Sequence, residues 1–417
     1  MVDFDYFNTL LVQEIGNKVG ATAPTITPSA SYGYKDALEA EDIFAGNVNL
    51  PLYARVGNPT NAKLESIVTQ IENGINAIAT SSGMGALSMV LSAFLKTGDE
   101  VLCIGGFFGG TYTLIAETMA RFGIKNSFCG IDDFGEIESK LKSGVKIVVM
   151  ESVGNPSLKL PDIPEISSLC LKYKTLLVVD NTATPLLIRP LELGADIVIH
   201  SSTKNMSGHS AALGGIAVFR KVLTENEKLL DEKYQDIHKF IYKLKEKAIA
   251  GICKKRAMRD IGMSANAFGS FLTLLGLETL ALRVQRVNES VTKIVKILDD
   301  KFENEITVKH PSLKKDDDYK RYMTHFPQGC GPIFTIDCQT KERAFKFLDR
   351  LNIATLTANI GDNRTLALHM TSTIYSDFDD QSRRFLGVHD GLIRISVGLE
   401  DPDIIAKDFL QAASNLT

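Results

Sequence analysis

Two residues are of the types, and at the spacing, that amine–carbonyl chemistry needs. Asp180 closes the apolar run Leu176-Leu-Val-Val179, and Lys204 stands 24 residues later in His200-Ser-Ser-Thr-Lys204. A carboxylate at the carboxyl end of a buried strand sits where α/β sheets bind ligands. Such a carboxylate can pair with a pyridinium nitrogen and keep a pyridoxal ring electron-withdrawing. A buried lysine has a lowered pKa and can serve as a Schiff-base amine. One strand–helix–strand step would bring both residues to the same end of a sheet. From these two residues alone, an Asp capping a helix and a Lys on the surface is an equal alternative.

Further segments carry groups that such a site would use. Ser81-Ser-Gly-Met-Gly85 precedes an apolar helical pattern, and small residues at a helix start expose N–H groups that hold phosphate. Ser201 and Thr203 beside Lys204 would add hydroxyl donors to the same phosphate. Phe107-Phe-Gly-Gly-Thr111 offers a ring to stack on a flat cofactor, with glycines for close backbone approach. Tyr53-Ala-Arg55 lies on an extended arm and could donate phosphate ligands, to this subunit or to a neighbour. Arg394 sits inside the apolar run Leu392–Val397, where a charge is costly unless paired. A bidentate substrate carboxylate is one natural partner, and a structural Asp or Glu is the other.

These residues need an α/β frame. Short β-branched runs at Glu100–Ile104, Lys146–Met150, Thr175–Asp180, Asp196–His200 and Ile216–Phe219 read as buried parallel strands. Helical patterns fall between most of them, as at Thr113–Phe122 and Ile163–Tyr173. Asn58-Pro-Thr60 reads as an N-cap followed by Pro at the first helical position. The face Leu64, Ile67, Val68 and Ile71 then continues that helix, and Leu87, Val90, Leu91, Phe94 and Leu95 line the next. The expected domains are an arm over 1–57 with a short helix near Leu10–Glu14, a large cofactor domain over 58–280, and a smaller C-terminal α+β domain over 281–417. The smaller domain has strands near Ile333–Asp337 and Gly391–Val397 and is entered by one long helix through Leu272–Asn288.

The chain has 417 residues, 44% apolar and 23% charged, the balance of a globular protein and not of a disordered or fibrous one. A net charge of −4 points to no nucleic-acid or membrane partner. Residues 220–259 stand apart, with twelve Lys/Arg against six Asp/Glu. The six cysteines contain no CxxC pair and read as buried thiols, and the seven histidines show no metal-ligand spacing. No G-x-S-x-G elbow, G-x-G-x-x-G fingerprint or Walker loop is present. The amino terminus, Met1-Val-Asp-Phe-Asp-Tyr-Phe-Asn8, lacks a basic region followed by an apolar stretch, so a cytoplasmic protein is expected.

Taken together, Tyr53-Ala-Arg55, Asn58-Pro-Thr60, Ser82-Gly-Met84, Phe108-Gly-Gly-Thr111, Glu151…Asn155-Pro156, Val179-Asp-Asn-Thr182, His200-Ser-Ser-Thr-Lys204, Gly361-Asp362 and Arg394–Glu400 resemble, in order, the Cys/Met-metabolism family of pyridoxal-phosphate enzymes. The resemblance implies a fold-type I, aspartate-aminotransferase-like architecture: a mostly parallel seven-stranded sheet with helices on both faces, plus the smaller domain. It implies Lys204 as the Schiff-base lysine and Asp180 as the partner of the ring nitrogen. Gly83, Met84, Ser201 and Thr203 become phosphate ligands, with Tyr53 and Arg55 reaching over from the adjacent subunit of a homotetramer built from two catalytic dimers. Phe108 becomes the stacking ring, and Arg394, assisted by Asn155 and the backbone near Asn359, the binder of the substrate carboxylate.

Within the family, Ser264–Phe268, Gly276–Arg283 and Ala183 are similar to the O-acetylhomoserine sulfhydrylase branch of methionine biosynthesis. A γ-lyase, a cystathionine γ-synthase or a non-catalytic member are the alternatives. Three departures stand out. Phe108 replaces the family's usual Tyr, which leaves more proton transfer to Lys204, a water or Tyr112. The segment His369–Tyr375 lacks the usual Pro and has Tyr375 where a His is common. The 220–259 stretch is shorter and more basic than the branch leads one to expect. It reads as a solvated insertion or, more sharply, as a docking face for an acidic sulfur-carrier protein.

Overall fold

A computed structural model describes residues 3–16, 20–48, 50–222, 227–302 and 306–414. Residues 1–2, 17–19 and 49 of the arm and 223–226 of the basic stretch lie outside the described residues. Seven strands form the larger sheet: β1 (Asn76–Thr80), β2 (Glu100–Ile104), β3 (Lys125–Cys129), β4 (Ile147–Glu151), β5 (Leu176–Asp180), β6 (Ile197–His200) and β7 (Gly215–Phe219). Their order is β1-β7-β6-β5-β4-β2-β3. The neighbours from β3 to β6 are parallel, while β7 runs antiparallel to both β6 and β1. Alternate residues feed two cores. Leu177, Val179 and Val198 enter one, Val178, Ile197 and Ile199 the other. This is why the runs read as continuous apolar segments. The expected class, a mostly parallel seven-stranded α/β sheet with a smaller C-terminal unit, is the fold observed.

Five shorter strands, β8 (Thr307–Lys309), β9 (Ile333–Asp337), β10 (Thr355–Leu356), β11 (Leu366–His369) and β12 (Leu392–Ser396), form the second sheet in the order β10-β11-β12-β9-β8. Helices Leu280–Lys301 and Pro402–Ala413 cover it, and Val291, Val295, Phe334, Ile395 and Phe409 share its separate core. The helix Leu280–Lys301 joins the two units, because Leu280 and Val284 belong to a core of the larger sheet and Val291 to that of the smaller.

Several local expectations are corrected. The arm carries more helix than expected: α1 (Phe4–Ile15), longer than the helix expected near Leu10–Glu14, and a second, α2 (Ala37–Ala45). Phe7, Leu11 and Ile15 of α1 are buried against the large core. The stretch Thr113–Phe122 is helical but irregular, passing from an α-turn at Gly109–Thr113 into a π-type segment at Leu114–Met119 and a 3₁₀ turn at Ala120–Phe122. The single long helix through Leu272–Asn288 is two helices, Ala267–Leu277 and Leu280–Lys301, bent by 61°. The break follows Gly276, which lies so close to the Met206 and Ser207 carbonyls that a side chain there would collide with them. No helix lies between β5 and β6, where turns stand in place of the expected strand–helix–strand step. Among the described residues, no single helix is long and apolar enough to cross a membrane.

The basic stretch is largely structural. Buried Asp196, just before β6, accepts Lys228 Nζ at 2.8 Å and the Leu177 N–H at 2.7 Å, and pairs with Arg220. Lys233 Nζ caps the Tyr173 and Val145 carbonyls at 2.7 and 3.2 Å. Arg256 pairs with Asp236 at 2.7 Å. Burial raises the Asp196 carboxyl, but Lys228 and Arg220 outweigh it and hold it below the usual range. Its stabilisation is therefore full at neutral pH and is lost as pH falls through that lowered value. Asp196→Asn strands buried cations and is expected to cost about 3–5 kcal/mol, read as a lower urea midpoint at pH 7. A loss below about 1 kcal/mol, the range of exposed pairs, would show that the cations do not depend on Asp196.

Candidate active site

The carboxyl ends of β4, β5 and β6 place Glu151, Asp180 and His200 along one edge of the sheet. A cavity opens there, with α4 (Gly83–Phe94) pointing its first turn into it and β12 closing it from the smaller unit. Ser82 is the N-cap of α4, its hydroxyl accepting the Gly85 N–H at 3.0 Å. The Gly83 and Met84 N–H groups have no acceptor within the helix and line the cavity. A Cβ at Gly83 would lie 2.7 Å from the Ser201 Cβ, so only glycine lets the helix start approach the segment that carries Lys204. Ser201 is held by its N–H, which donates to Thr182 Oγ1 at 2.8 Å. Thr203 lines the same wall, but its hydroxyl donates to the Gly214 carbonyl at 3.1 Å and accepts the Gly214 N–H at 2.9 Å.

Asp180 does not cap a helix. Its Oδ1 accepts the Thr182 N–H at 2.9 Å, which fixes the carboxylate at the cavity floor. Burial holds its carboxyl above the ordinary range, against the pull of Thr182 and His200. His200, fully buried, bonds Glu72 Oε1 at 2.7 Å, and Asn181 Nδ2 donates to the same oxygen at 3.0 Å. These bonds tie the ends of β5 and β6 to the residue that follows α3 (Pro59–Ile71). Lys204 reaches into the cavity, where its Nζ donates to Asn359 Oδ1 at 2.5 Å. Burial, then the charge of Arg394, pulls its amine down to about 8. Such an amine is partly neutral, and so nucleophilic, at physiological pH.

Arg394 is 3% exposed. It donates to Asn155 Oδ1 at 3.1 Å and to the Asn359 carbonyl at 3.2 Å. No carboxylate forms an ion pair with it among the described residues, so the structural alternative of an Asp or Glu partner is not what the chain builds. Burial lowers it to about 10, still cationic at neutral pH. A buried cation with N–H groups to spare, facing a cavity, suits a carboxylate.

Phe108 lines the cavity with its ring partly exposed. The glycines after it make room for protein and not only for a ligand. A Cβ at Gly110 would stand 2.7 Å from Phe108 Cε1, and one at Gly109 would stand 3.2 Å from Tyr375 Cε1. Tyr112, offered above as a proton helper, is not on this cavity; its hydroxyl bonds Ser382 Oγ at 2.9 Å. Tyr53 and Arg55 are absent from it too. Within one chain Arg55 donates to the Arg259 carbonyl, with its guanidinium 5.7 Å from the Tyr53 ring.

Three contributors escaped the residue-by-residue reading. Glu151 lines the cavity beside Asp180. Its signal was the one that marks Asp180, an acid closing an apolar run, but the run was cut one residue short. Thr182 fixes both Asp180 and Ser201. Arg283, buried, donates to the Asn205 carbonyl at 2.7 Å, the Met206 carbonyl at 3.3 Å and the Gly276 carbonyl at 2.7 Å, bracing the turn after Lys204. Nothing in local sequence signals that contact.

The set fits pyridoxal phosphate: free N–H groups at a helix start for the phosphate, a strand-end carboxylate for the ring nitrogen, and a lowered amine between them. The profile of the family described as Cys/Met metabolism PLP-dependent enzyme matches residues 8–414. The chain is 32% identical to a homocysteine synthase of Schizosaccharomyces pombe, over 99% of each chain. It is 33% identical to an O-succinylhomoserine sulfhydrylase of Mycobacterium tuberculosis, over 94% of this chain and 91% of that one. A solved O-acetylhomoserine (thiol)-lyase from Campylobacter jejuni, carrying a pyridoxyl-lysine phosphate, superposes with a TM-score of 0.88 at 28% identity, covering 98% of this chain and 100% of that one. The chain thus belongs to the Cys/Met-metabolism family of pyridoxal-phosphate-dependent enzymes.

Proposed function

We propose that the chain is an O-acetylhomoserine sulfhydrylase, a cytoplasmic enzyme that replaces the γ-acetoxy group of O-acetyl-L-homoserine with sulfur to give L-homocysteine and acetate. The observation that carries this reading is the full-length likeness to relatives named for homocysteine synthesis and homoserine-ester sulfhydrylation. The cofactor's contribution is an electron sink for charge that develops at the substrate α-carbon. Asp180 would hold the ring nitrogen and keep it protonated. The Gly83 and Met84 N–H groups and the Ser201 hydroxyl would hold the phosphate, with Thr203 shaping that wall. Phe108 would offer its ring to the cofactor. Arg394 grips the α-carboxylate, with Asn155 and Asn359 orienting the guanidinium. Lys204 Nζ, close to Asn359, takes the α-proton; a second proton leaves the β-carbon as acetate departs from the γ-carbon with its bonding pair, and both protons return after the sulfur has added. With no phenol at position 108 and Tyr112 off the cavity, Lys204 carries more of these transfers.

Tyr53 and Arg55 complete the phosphate site from a neighbouring subunit, in a homotetramer of two catalytic dimers. The arm that bears them also exposes Leu38, Phe44 and Leu50, 67, 70 and 49% accessible in the single chain, as an interface would. The sulfur donor is a small molecule such as sulfide. A carrier protein would meet the exposed Lys239, Lys243, Lys245 and Lys247 rather than Arg220, Lys228, Lys233 and Arg256, which already hold internal partners.

The deciding experiment offers acetyl-, succinyl- and phospho-homoserine against sulfide, cysteine and methanethiol, with products identified by mass spectrometry. Homocysteine from the acetyl ester and sulfide is expected. Release of 2-oxobutanoate from methionine or cystathionine in its place would overturn the reading in favour of a γ-lyase. Lys204→Ala is expected to lose both turnover and the visible absorbance of the bound cofactor. The lowered amine has its own check in the cofactor-free protein. Acetic anhydride labelling of Lys204 should rise through a pH of about 8, well below the range of surface lysines. Arg394→Gln removes a neighbouring positive charge and should move that midpoint upward.

A further inference from the structure

Glu151 is the one acid on the cavity with no part in the reaction as described above. It is the register partner of Asp180 on the adjacent parallel strand, so the two carboxyls stand side by side. Its two oxygens are both engaged. Oε1 accepts the Phe108 N–H at 2.8 Å, and Oε2 accepts the Asn155 N–H at 2.8 Å. Phe108 belongs to the loop after β2, and Asn155 to the loop after β4. A single carboxylate therefore spans two loops, one carrying the ring that faces the cofactor, the other carrying the amide that holds Arg394.

A second group spans the same two loops from outside. The Tyr375 hydroxyl lies 3.1 Å from the Phe107 carbonyl and 3.2 Å from the Asn155 carbonyl. Tyr375 comes from the segment after β11, in the smaller unit, and its side chain is fully buried. The loops are thus tied by their N–H groups to an acid beneath and by their carbonyls to a phenol above. The resulting chain runs from the Phe108 ring through Glu151 and Asn155 to Arg394 Nη1. Burial and the adjacent Asp180 push Glu151 up to about 8, while the two N–H donors and Arg394 pull it down.

We propose that Glu151 and Tyr375 are positioning residues that set the spacing between the ring-stacking face at Phe108 and the carboxylate grip of Arg394, so that an amino acid held at one end is presented to the other. The proposal rests on the assignment of Arg394 as the carboxylate site and not on the identity of the sulfur donor or leaving group.

Glu151→Gln keeps the shape but turns an NH2 group toward one of the two N–H donors, so one tie is lost and one donor is left unpaired. Tyr375→Phe removes only the hydroxyl. The probe is L-norleucine, which has a carboxylate and no γ-leaving group, so no turnover follows. Its binding to the holoenzyme is read from the visible absorbance of the cofactor, alongside cofactor affinity and melting temperature. Glu151→Gln should weaken norleucine binding about 10- to 100-fold, more than it weakens cofactor binding, and Tyr375→Phe about 3- to 10-fold. In turnover assays the loss should fall on KM more than on kcat. Norleucine affinity within about twofold of wild type in Glu151→Gln, with only the melting temperature lowered, would overturn the proposal, since Glu151 would then merely support the fold. Should that variant fail to fold or to take up cofactor, Tyr375→Phe decides alone, and unchanged norleucine affinity in it sinks the idea. Wild-type protein that does not bind norleucine removes the Arg394 assignment and the proposal with it. A protein that binds norleucine but makes no homocysteine overturns the sulfhydrylase reading and leaves this one standing.

Discussion

A guanidinium buried inside a strand, hydrogen-bonded to neutral oxygens and with no carboxylate ion pair among the described residues, is the constraint around which this molecule is arranged. An isolated charge in a dry site is expensive, and the usual remedy is a carboxylate partner. Here Arg394 receives the Asn155 amide oxygen and the Asn359 carbonyl instead. Both partners come from loops, and each loop is itself anchored: Asn155 by Glu151, Asn359 by Ser210 Oγ, to which its Nδ2 donates at 3.0 Å, and by Lys204. The same positive charge lowers the amine of Lys204. One buried cation thereby offers a place for an anionic group and raises the neutral fraction of the Lys204 amine.

The scaffold serves that arrangement by making backbone approach backbone. Gly83 lets the start of α4 meet Ser201, and Gly276 lets the break between two helices press on Met206 and Ser207. Arg283, on the second of those helices, then satisfies the carbonyls of the turn that follows Lys204. The helix that carries Arg283 continues into the core of the smaller unit. The turn bearing the amine and the strand bearing Arg394 are therefore linked through one rigid element as well as across the cavity. Rigid support of this kind holds catalytic groups close to a productive geometry.

What the sequence revealed follows from how local each signal is. β2 and β4 to β7 were legible because each is a short β-branched run buried on both faces. β1 is Asn-Ala-Ile-Ala-Thr, in which alanine masks the pattern, and β3 is an edge strand, Lys-Asn-Ser-Phe-Cys, with too many polar residues to stand out. Lys204 and Asp180 could be found because strand ends are where open α/β sheets gather ligands. Arg394 could be found because a charge in an apolar run asks for a partner, although only the structure shows that no carboxylate forms an ion pair with it among the described residues. Tyr375 and Arg283 could not be found this way: apart from the Gly276 carbonyl on the preceding helix, the carbonyls they bond lie more than seventy positions off in the chain, and carbonyls leave no trace in residue type. The helix break after Leu277 was hidden because apolar periodicity runs through it, while the close approach of Gly276 to Met206 and Ser207 beside it is tertiary.

Charge shows the same difference between a tally and a position. The 220–259 stretch carries a net excess of cations, and a tally alone suggests a surface made for an acidic partner. Asp196 changes that inference. It is a fully buried acid at the start of β6, the end of the strand away from the catalytic edge, and an unpaired charge there would be intolerable. Lys228 and Arg220 meet it directly, and Arg220 is steadied in turn by Glu227. Lys233 meets a different need, the carbonyls where the chain turns into β4 and β5. Much of the positive charge is thus internal to the fold, closing the amino-terminal edge of the sheet while the carboxyl-terminal edge is left open for chemistry. The exposed lysines near Tyr242 (Lys239, Lys243, Lys245 and Lys247) face solvent instead.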